Sequence, residues 1–342
     1  MIWVLVLCGA LWLLGSAFGI SRARRGAVIG ALWLVSFVLF RVPFDLTSDH
    51  ARLWVMVTGV ALIAAGYISV LKKVKQRVNA ADRPAPSAPP RATFQPEELD
   101  RYARHILLRE IGGPGQKALK AARVLVVGAG GLGSPSLMYL AAAGVGFIGV
   151  VDDDTVDPSN LQRQIIHDSQ SVGQPKVLSA KASMLALNPF VEVRAVQARL
   201  SEATADLVGD YDLILDGSDN FDTRYLVNRL AAKAGTPLIS AAITQWEGQI
   251  SLYDPAHGTP CYECIFPHRP APGMVPTCAE AGVVAPLPGV VGSMMALEAV
   301  KHLTGAGEGL RGRLMIYDAL YAEVRVIGIK RRDDCEICGA SH

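Results

Sequence analysis

The sequence predicts an α/β fold: a mostly parallel sheet, an apolar region before it and a metal-stapled cysteine region at its end. Three observations carry that prediction. Apolar runs of strand length alternate with helical segments through the second two thirds of the 342-residue chain. One such run, Arg123 to Val127, dissolves into Gly128, Gly130, Gly131 and Gly133 and is followed by a helical segment at 135–143. Several runs end in polar clusters, which a parallel sheet collects along its carboxyl edge.

Composition sets the outer limits. Thirty-three basic residues against 31 acidic ones leave a formal net charge of +2, which argues against nucleic acid as a partner. The excess of apolar residues sits in the first 71 positions, as uncharged runs at 1–20, 26–40 and 53–71. The outer two are long enough to cross a bilayer, for which about 20 residues are needed. The middle one is short and also fits a re-entrant segment. Basic clusters at Arg22, Arg24, Arg25 and at Lys72, Lys73, Lys75, Arg77 fall on one side if all three runs span. The expectation is therefore a multi-pass anchor at 1–78 in the inner (cytoplasmic) membrane, with the rest facing the cytoplasm. Cys8 in the first run reads as a small apolar residue. Positions 79–93, with Pro84, Pro86, Pro89 and Pro90, read as an extended spacer. The body is 94–342.

The body opens on an amphipathic helix in which Leu99, Tyr102, His105 or Ile106, and Arg109 follow helical spacing. His105 reads as a packed, partly buried histidine. Gly112, Gly113, Pro114 and Gly115 break the chain, and a short helix at 116–122 leads into the first strand. Gly128, Gly130 and Gly133 fit the Gly-x-Gly-x-x-Gly spacing of a Rossmann-like turn, where the backbone approaches a phosphate and the next helix offers its free N–H groups. A second strand, 147–151, ends on Asp152, at the distance where such folds place a carboxylate on ribose hydroxyls. Then come Asn160-Leu-Gln-Arg163-Gln164, Gly173-Gln-Pro-Lys176, a helix at 176–187, and strands at 191–196 and 211–215. The last of these finishes in Asp216-Gly-Ser-Asp219-Asn220.

Asp152, Asn160, Arg163, Lys176 and Asp219 would then share one sheet edge. Two cations and two carboxylates beside a phosphate-binding turn suit a nucleoside triphosphate with Mg2+, because the charge of leaving pyrophosphate must be neutralised as attack occurs. A nicotinamide-dependent oxidoreductase is the alternative. It accounts for the glycines and Asp152 but gives Arg163, Lys176 and Asp219 no task.

Cysteines mark the end of the chain. Cys261-x-x-Cys264 and Cys335-x-x-Cys338 are two knuckles that can close a tetrahedral Zn2+ site with no open position. A cytoplasmic setting disfavours disulfides instead. Cys278 stands apart in a Pro- and Gly-rich stretch, 267–288, expected to be a mobile segment.

From Arg101-Tyr-Ala-Arg104 through the glycine turn, Asn160–Gln164, Gly173–Lys176, Ser218-Asp-Asn220 and Glu247-Gly-Gln249 to the paired cysteines, the body resembles the MoeB/ThiF/HesA adenylating enzymes. It is most similar to MoeB-like members. The resemblance implies that Gly128, Gly130, Gly131 and Gly133 line the phosphates of ATP and Asp152 its ribose. Asn160, Arg163, Gln164 and Lys176 would contact the nucleotide, and Asp219 would hold Mg2+. The implied reaction is adenylation of the C-terminal glycine of a small ubiquitin-like sulfur-carrier protein ending in Gly-Gly, with release of pyrophosphate. The resemblance further implies zinc at the four paired cysteines, and a homodimer in which Arg104 reaches the neighbour's ATP; an ordinary exposed arginine is the other reading of Arg104. Cys278 is either a thiol that attaches the carrier or a buried spectator. A tRNA-modifying dehydratase is an alternative within the same superfamily, against which the paired cysteines weigh. The apolar N-terminal region departs from the family pattern.

Overall fold

A computed structural model describes residues 94–271 and 278–339, with the side chains of 203–206, 278 and 279 excluded. The chain divides between Pro84 and Ala85, and the described residues belong to the second unit. The runs at 1–20, 26–40 and 53–71, the spacer at 79–93 and Cys8 lie outside the described residues.

Helices α1 (Pro96–Ile106) and α2 (Gly112–Ala121) precede strand β1 (Arg123–Val127), helix α3 (Gly133–Ala143) and strand β2 (Phe147–Val151). Next come α4 (Lys176–Leu187), β3 (Glu192–Val196), β4 (Leu213–Asp216) and α5 (Phe221–Ala234). The chain continues through β5 (Leu238–Ile243), β6 (Glu247–Tyr253), the short helices α6 (Tyr262–Ile265) and α7 (Cys278–Ala281), α8 (Pro286–Thr304), β7 (Arg313–Asp318) and β8 (Glu323–Gly328). The eight strands form one sheet in the order β3-β2-β1-β4-β5-β6-β7-β8. The first five in that order run parallel and the last three antiparallel.

Alternation builds two cores. In β1, β2 and β4 the residues Val124, Val126, Ile148, Val150, Leu213 and Leu215 face α3, α4 and α8. Leu125, Val127, Phe147, Val151 and Ile214 face Tyr225, Val227 and Leu230 of α5. Both faces being covered, these strands read as unbroken apolar runs, as parallel strands do.

Two expectations change at the level of packing. Helix α2 starts at Gly112, four residues earlier than expected, because Pro114 lies in the first turn, where no intrahelical N–H is needed. In α1 the buried residues are Glu98 and Tyr102, whereas Leu99 is 45% exposed. Glu98 accepts from Lys120 Nζ at 2.6 and 2.8 Å and from the Gln95 N–H at 2.9 Å, so a paired carboxylate takes the inner position in place of a leucine. Within the stretch 267–288, α7 and the first turn of α8 are helical.

The multi-pass inner-membrane location is corrected as well. Among the described residues no helix is long and apolar enough to cross a membrane. The longest, α8 with 19 residues, buries Leu287, Val291, Met295, Ala296 and Ala299 within the body, so its apolar side serves the core.

Candidate active site at the carboxyl edge of the sheet

The strand order reverses between β1 and β4, and in open α/β sheets this is where ligands lie, outside the carboxyl ends of the strands. The turns that follow these two strands touch. A Cβ at Gly128 would stand 3.1 Å from Gly217 O, and Gly128 itself has φ +93°, so neither the conformation nor the space admits another residue. Gly133 is tighter still: its Cβ would fall 1.9 Å from Gly128 O. The glycines thus fold the turn onto the start of α3, a helix that no side chain caps. An uncapped helix start presents backbone N–H groups and the positive end of the helix dipole, which suit an anion.

The other expected residues gather around this turn. The Ala129 N–H donates to Asp152 Oδ2 at 2.7 Å and the Asp154 N–H to Oδ1 at 2.8 Å. Burial pushes the Asp152 carboxyl up, against these two N–H groups and the charge of Lys176, which favour its ionised form. Asn160 ends a 3-10 turn whose preceding Asp157 caps it through the Ser159 N–H at 2.8 Å. Asn160 Oδ1 accepts from Arg163 at 2.8 Å and from Gln164 Nε2 at 3.3 Å. Arg163 Cδ lies 3.8 Å from where a Gly131 Cβ would be, and Gln164 Nε2 lies 3.6 Å from the Gly130 position. This turn therefore lies against the glycines.

Lys176 reaches the same region because the chain doubles back. Gly173, with φ +81°, allows Gln174 O to accept from the Val156 N–H at 2.8 Å, and Thr155 bridges Pro175. Lys176 then begins α4 almost fully buried, with Nζ 2.7 Å from Asp154 Oδ2. Asp154 is a partner that sequence reading did not single out.

At the end of β4 two aspartates separate by environment. Asp216 is fully buried, accepting from the Ser218 N–H at 3.0 Å, Ser218 Oγ at 2.5 Å and Ser240 Oγ at 2.8 Å, with Arg224 Nε 3.7 Å away. Arg224 also donates to Ser218 O at 2.8 Å. Asp219 is exposed, and its carboxylate has only a 3.5 Å contact from Asn220 Nδ2 among the described residues. Asp216 and Arg224 thus hold the turn that displays Asp219. Asp216 was legible as the polar end of an apolar strand; Arg224, inside a helix, carries no sequence signal for this task.

Arg104 is elsewhere. It is exposed on α1, beside a cavity of about 460 Å3 between α1, α3 and α8 that is also lined by Arg101, Tyr139 and Leu297. Tyr139 and Leu297 are 58% and 59% exposed. His105 is half-buried, 3.3 Å from Gln116 Oε1. The side chain of Cys278 lies outside the described residues.

The four paired cysteines form a separate centre. They are all buried, with Cys261–Cys264, Cys261–Cys335 and Cys264–Cys338 Sγ distances of 3.9, 3.6 and 3.4 Å. A tetrahedral zinc with Zn–S bonds of about 2.3 Å requires sulfurs about 3.8 Å apart, so the donor set fits the metal. Disulfides, at about 2.05 Å, it does not fit. Tyr262 beside the site packs on Tyr225, Tyr253 and Phe266 with ring centroids 4.8–5.8 Å apart.

The pattern of the ThiF family matches residues 102–337. The chain is 52% identical over 248 residues to a sulfur carrier protein adenylyltransferase of Thermus thermophilus, covering 71% of this chain and 92% of that protein. It is 48% identical over 243 residues to the SAMP-activating enzyme E1 of Haloferax volcanii, covering 71% and 89%. To the probable adenylyltransferase/sulfurtransferase MoeZ of Mycobacterium tuberculosis it is 51% identical over 250 residues, spanning 64% of that longer protein. The fold is also that of MccB from E. coli, with TM-score 0.63, 23% identity and 70% and 74% of the two chains covered. None of this favours a nicotinamide enzyme. The chain belongs to the ThiF family.

Proposed function

We propose that residues 94–342 form an adenylyltransferase that activates the C-terminal carboxylate of a small ubiquitin-like sulfur-carrier protein ending in Gly-Gly. One observation carries the reading: the glycine turn, Asp152, the Asn160–Gln164 turn, buried Lys176 and exposed Asp219 converge at the crossing of β1 and β4. A carboxylate oxygen of the terminal glycine attacks the α-phosphorus of ATP, the bond from that phosphorus to the β-phosphate bridge breaks, and pyrophosphate leaves. No proton moves in this step and no protein nucleophile is needed. The chain's own contribution is position and charge.

In this assignment Gly128, Gly130, Gly131 and Gly133 bring backbone N–H groups close to the phosphates, and Asp152 receives the ribose hydroxyls. Arg163, held by Asn160, and Lys176, held by Asp154, supply positive charge to the triphosphate; Gln164 borders the same turn. Asp219 is the Mg2+ carboxylate, and a bound Mg2+ would lower the cost of charge building on the leaving pyrophosphate. Zn2+ at Cys261, Cys264, Cys335 and Cys338 is structural, all four positions of the metal being filled by protein. Cys278 is a candidate thiol for the carrier and takes no part in adenylation.

The test is ATP–pyrophosphate exchange, since adenylation is reversible until the acyl group moves on. Label should enter ATP only when carrier, Mg2+ and enzyme are all present. Exchange that proceeds equally with a carrier lacking its terminal glycines would overturn the assignment.

The exposed apolar residues Tyr139 and Leu297 and the cavity beside Arg104 support a two-fold homodimer with Arg104 acting on the partner's nucleotide. Because a two-fold contact is reciprocal, inactive Arg104→Ala and Asp219→Ala chains should rescue one another when co-refolded. Half of randomly assorted dimers are mixed and each has one intact site, so recovery should reach roughly a quarter of wild type. Mixed dimers that form without recovery would mean that Arg104 acts within its own chain or not at all.

A further inference from the structure

His167 belongs to no element of the site assigned above, yet it is the residue on which three parts of that site meet. It is 6% exposed and sits between the Asn160–Gln164 turn and the Gly173 turn, its own N–H bonded to Gln164 O at 3.1 Å. On one side Nε2 lies 2.9 Å from Ala129 O, in the glycine turn. On the other, Nδ1 lies 2.9 Å from Oγ of Ser179, which is buried on α4 one turn after Lys176. A carbonyl only accepts, so Nε2 carries the proton and donates to Ala129 O. In the neutral ring Nδ1 then accepts from the Ser179 hydroxyl. Burial holds the imidazole pKa down, with Lys176 adding to that effect, which keeps the ring in this single tautomer.

The consequence lies in the peptide joining Ala129 to Gly130. Its C=O and N–H point in opposite directions because the peptide is planar and trans, and no cis peptide is present among the described residues. With the carbonyl held inward by His167, the Gly130 N–H is aimed outward, away from the buried ring. The preceding peptide is fixed as well, since the Ala129 N–H donates to Asp152 Oδ2 at 2.7 Å. Glycines flank Ala129 on both sides, and glycine readily permits the backbone rotation that would flip such a peptide. A flipped peptide would turn a carbonyl dipole toward a bound anion.

We propose that His167 is a positioning residue for the nucleotide phosphates: by anchoring Ala129 O it holds the Gly130 N–H toward the triphosphate and ties the glycine turn to the helix that carries Lys176. This rests on the ATP reading of the site given above. Without the imidazole, a buried carbonyl loses its donor, and the peptide rotates or the carbonyl takes up water. The loss falls on whatever contacts the phosphates. Nucleoside binding is spared.

The test measures affinity of the full chain for MgATP and for adenosine by calorimetry, beside thermal melting. His167→Ala and His167→Asn should weaken MgATP about tenfold, equivalent to about 1.4 kcal/mol, and leave adenosine within about threefold; that is the size expected for one lost neutral hydrogen bond. Gln places its amide nitrogen near the Nε2 position, so His167→Gln should restore MgATP affinity to within about threefold of wild type. The Gln and Asn variants carry the comparison if the alanine variant does not fold. Equal loss for MgATP and adenosine, or a glutamine variant as defective as the asparagine one, would mean that His167 only packs, and the proposal falls. Unchanged MgATP affinity in all variants overturns it too. A wild-type chain that binds no MgATP sinks the nucleotide reading itself, which the variants alone would not do.

Discussion

Asp219→Ala is expected to reduce carrier-dependent ATP–pyrophosphate exchange by roughly 10²–10³-fold or more, the scale seen when one group that stabilises developing charge is removed. The fold should not notice. Asp219 is exposed and among the described residues makes only one long contact, to Asn220, and surface substitutions of that kind stay within about 0.5 kcal/mol. Its neighbour supplies the contrast. Asp216 is fully buried and accepts from Ser218 and Ser240, so Asp216→Ala takes the carboxylate from those donors and the counter-ion from the buried Arg224 guanidinium, which keeps only its bond to Ser218 O among the described residues. That change should destabilise the chain by several kcal/mol, as breaking a buried charged pair does. Exchange assays with thermal melts of both variants separate the two roles. Asp219→Ala that keeps a tenth or more of wild-type exchange would remove it from the reaction.

The second large effect concerns metal. Freshly purified, reduced protein should hold about one zinc per chain, and stripping it should cost a large part of the stability of the cysteine-bearing region. Zinc bound by four thiolates contributes apparent free energies of about 10–16 kcal/mol in small domains, comparable with the whole stability of an ordinary domain. Without metal the cluster titrates unevenly: burial pushes the Cys261 thiol far up and the Cys338 thiol up to about 11, whereas against burial the Cys338 and Ile337 N–H groups hold Cys335 below the usual thiol range. Four buried sulfurs then pack on one another, with the Arg332 N–H 3.5 Å from Cys264 Sγ. The cysteines join the segment after β8 to α6, whose Tyr262 also donates its N–H to Asn228 at 2.9 Å. Chelation should therefore raise hydrogen exchange at 329–339 and 261–266 before it affects β1 to β4. Metal analysis finding well under 0.1 zinc per chain, with native melting behaviour, would rule the site out.

Much of this was legible in the amino-acid order because it is local. The apolar run Arg123–Val127 and its glycines specify a strand and a close turn wherever they fold, since alternation covers both faces of the strand and only glycine tolerates φ +93° beside Gly217. Strand β2 and helix α4 fall at the positions the sequence implied, 147–151 and 176–187. The two Cys-x-x-Cys pairs announce a common centre by spacing. Strand β5 and the antiparallel strands β6 to β8 are not legible in the sequence; Glu247–Tyr253 and Arg313–Asp318 become neighbours only through pairings across more than 60 positions. Sequence reading also placed the body's function in a membrane context that no helix among the described residues supports.

What the amino-acid sequence determined by itself was the α/β fold class, the glycine turn and the list of charged residues around it. Tertiary structure decided their conditions. It engaged Lys176 with Asp154, separated a displayed Asp219 from a buried Asp216, and set Arg104 apart on an exposed helix. It also joined His167 to Ala129 across 38 positions. The physical reason is that a side chain's charge and donors are fixed by its chemistry, whereas its burial and its partners depend on residues far away in the chain, and those are chosen only when the sheet brings its loops to one edge.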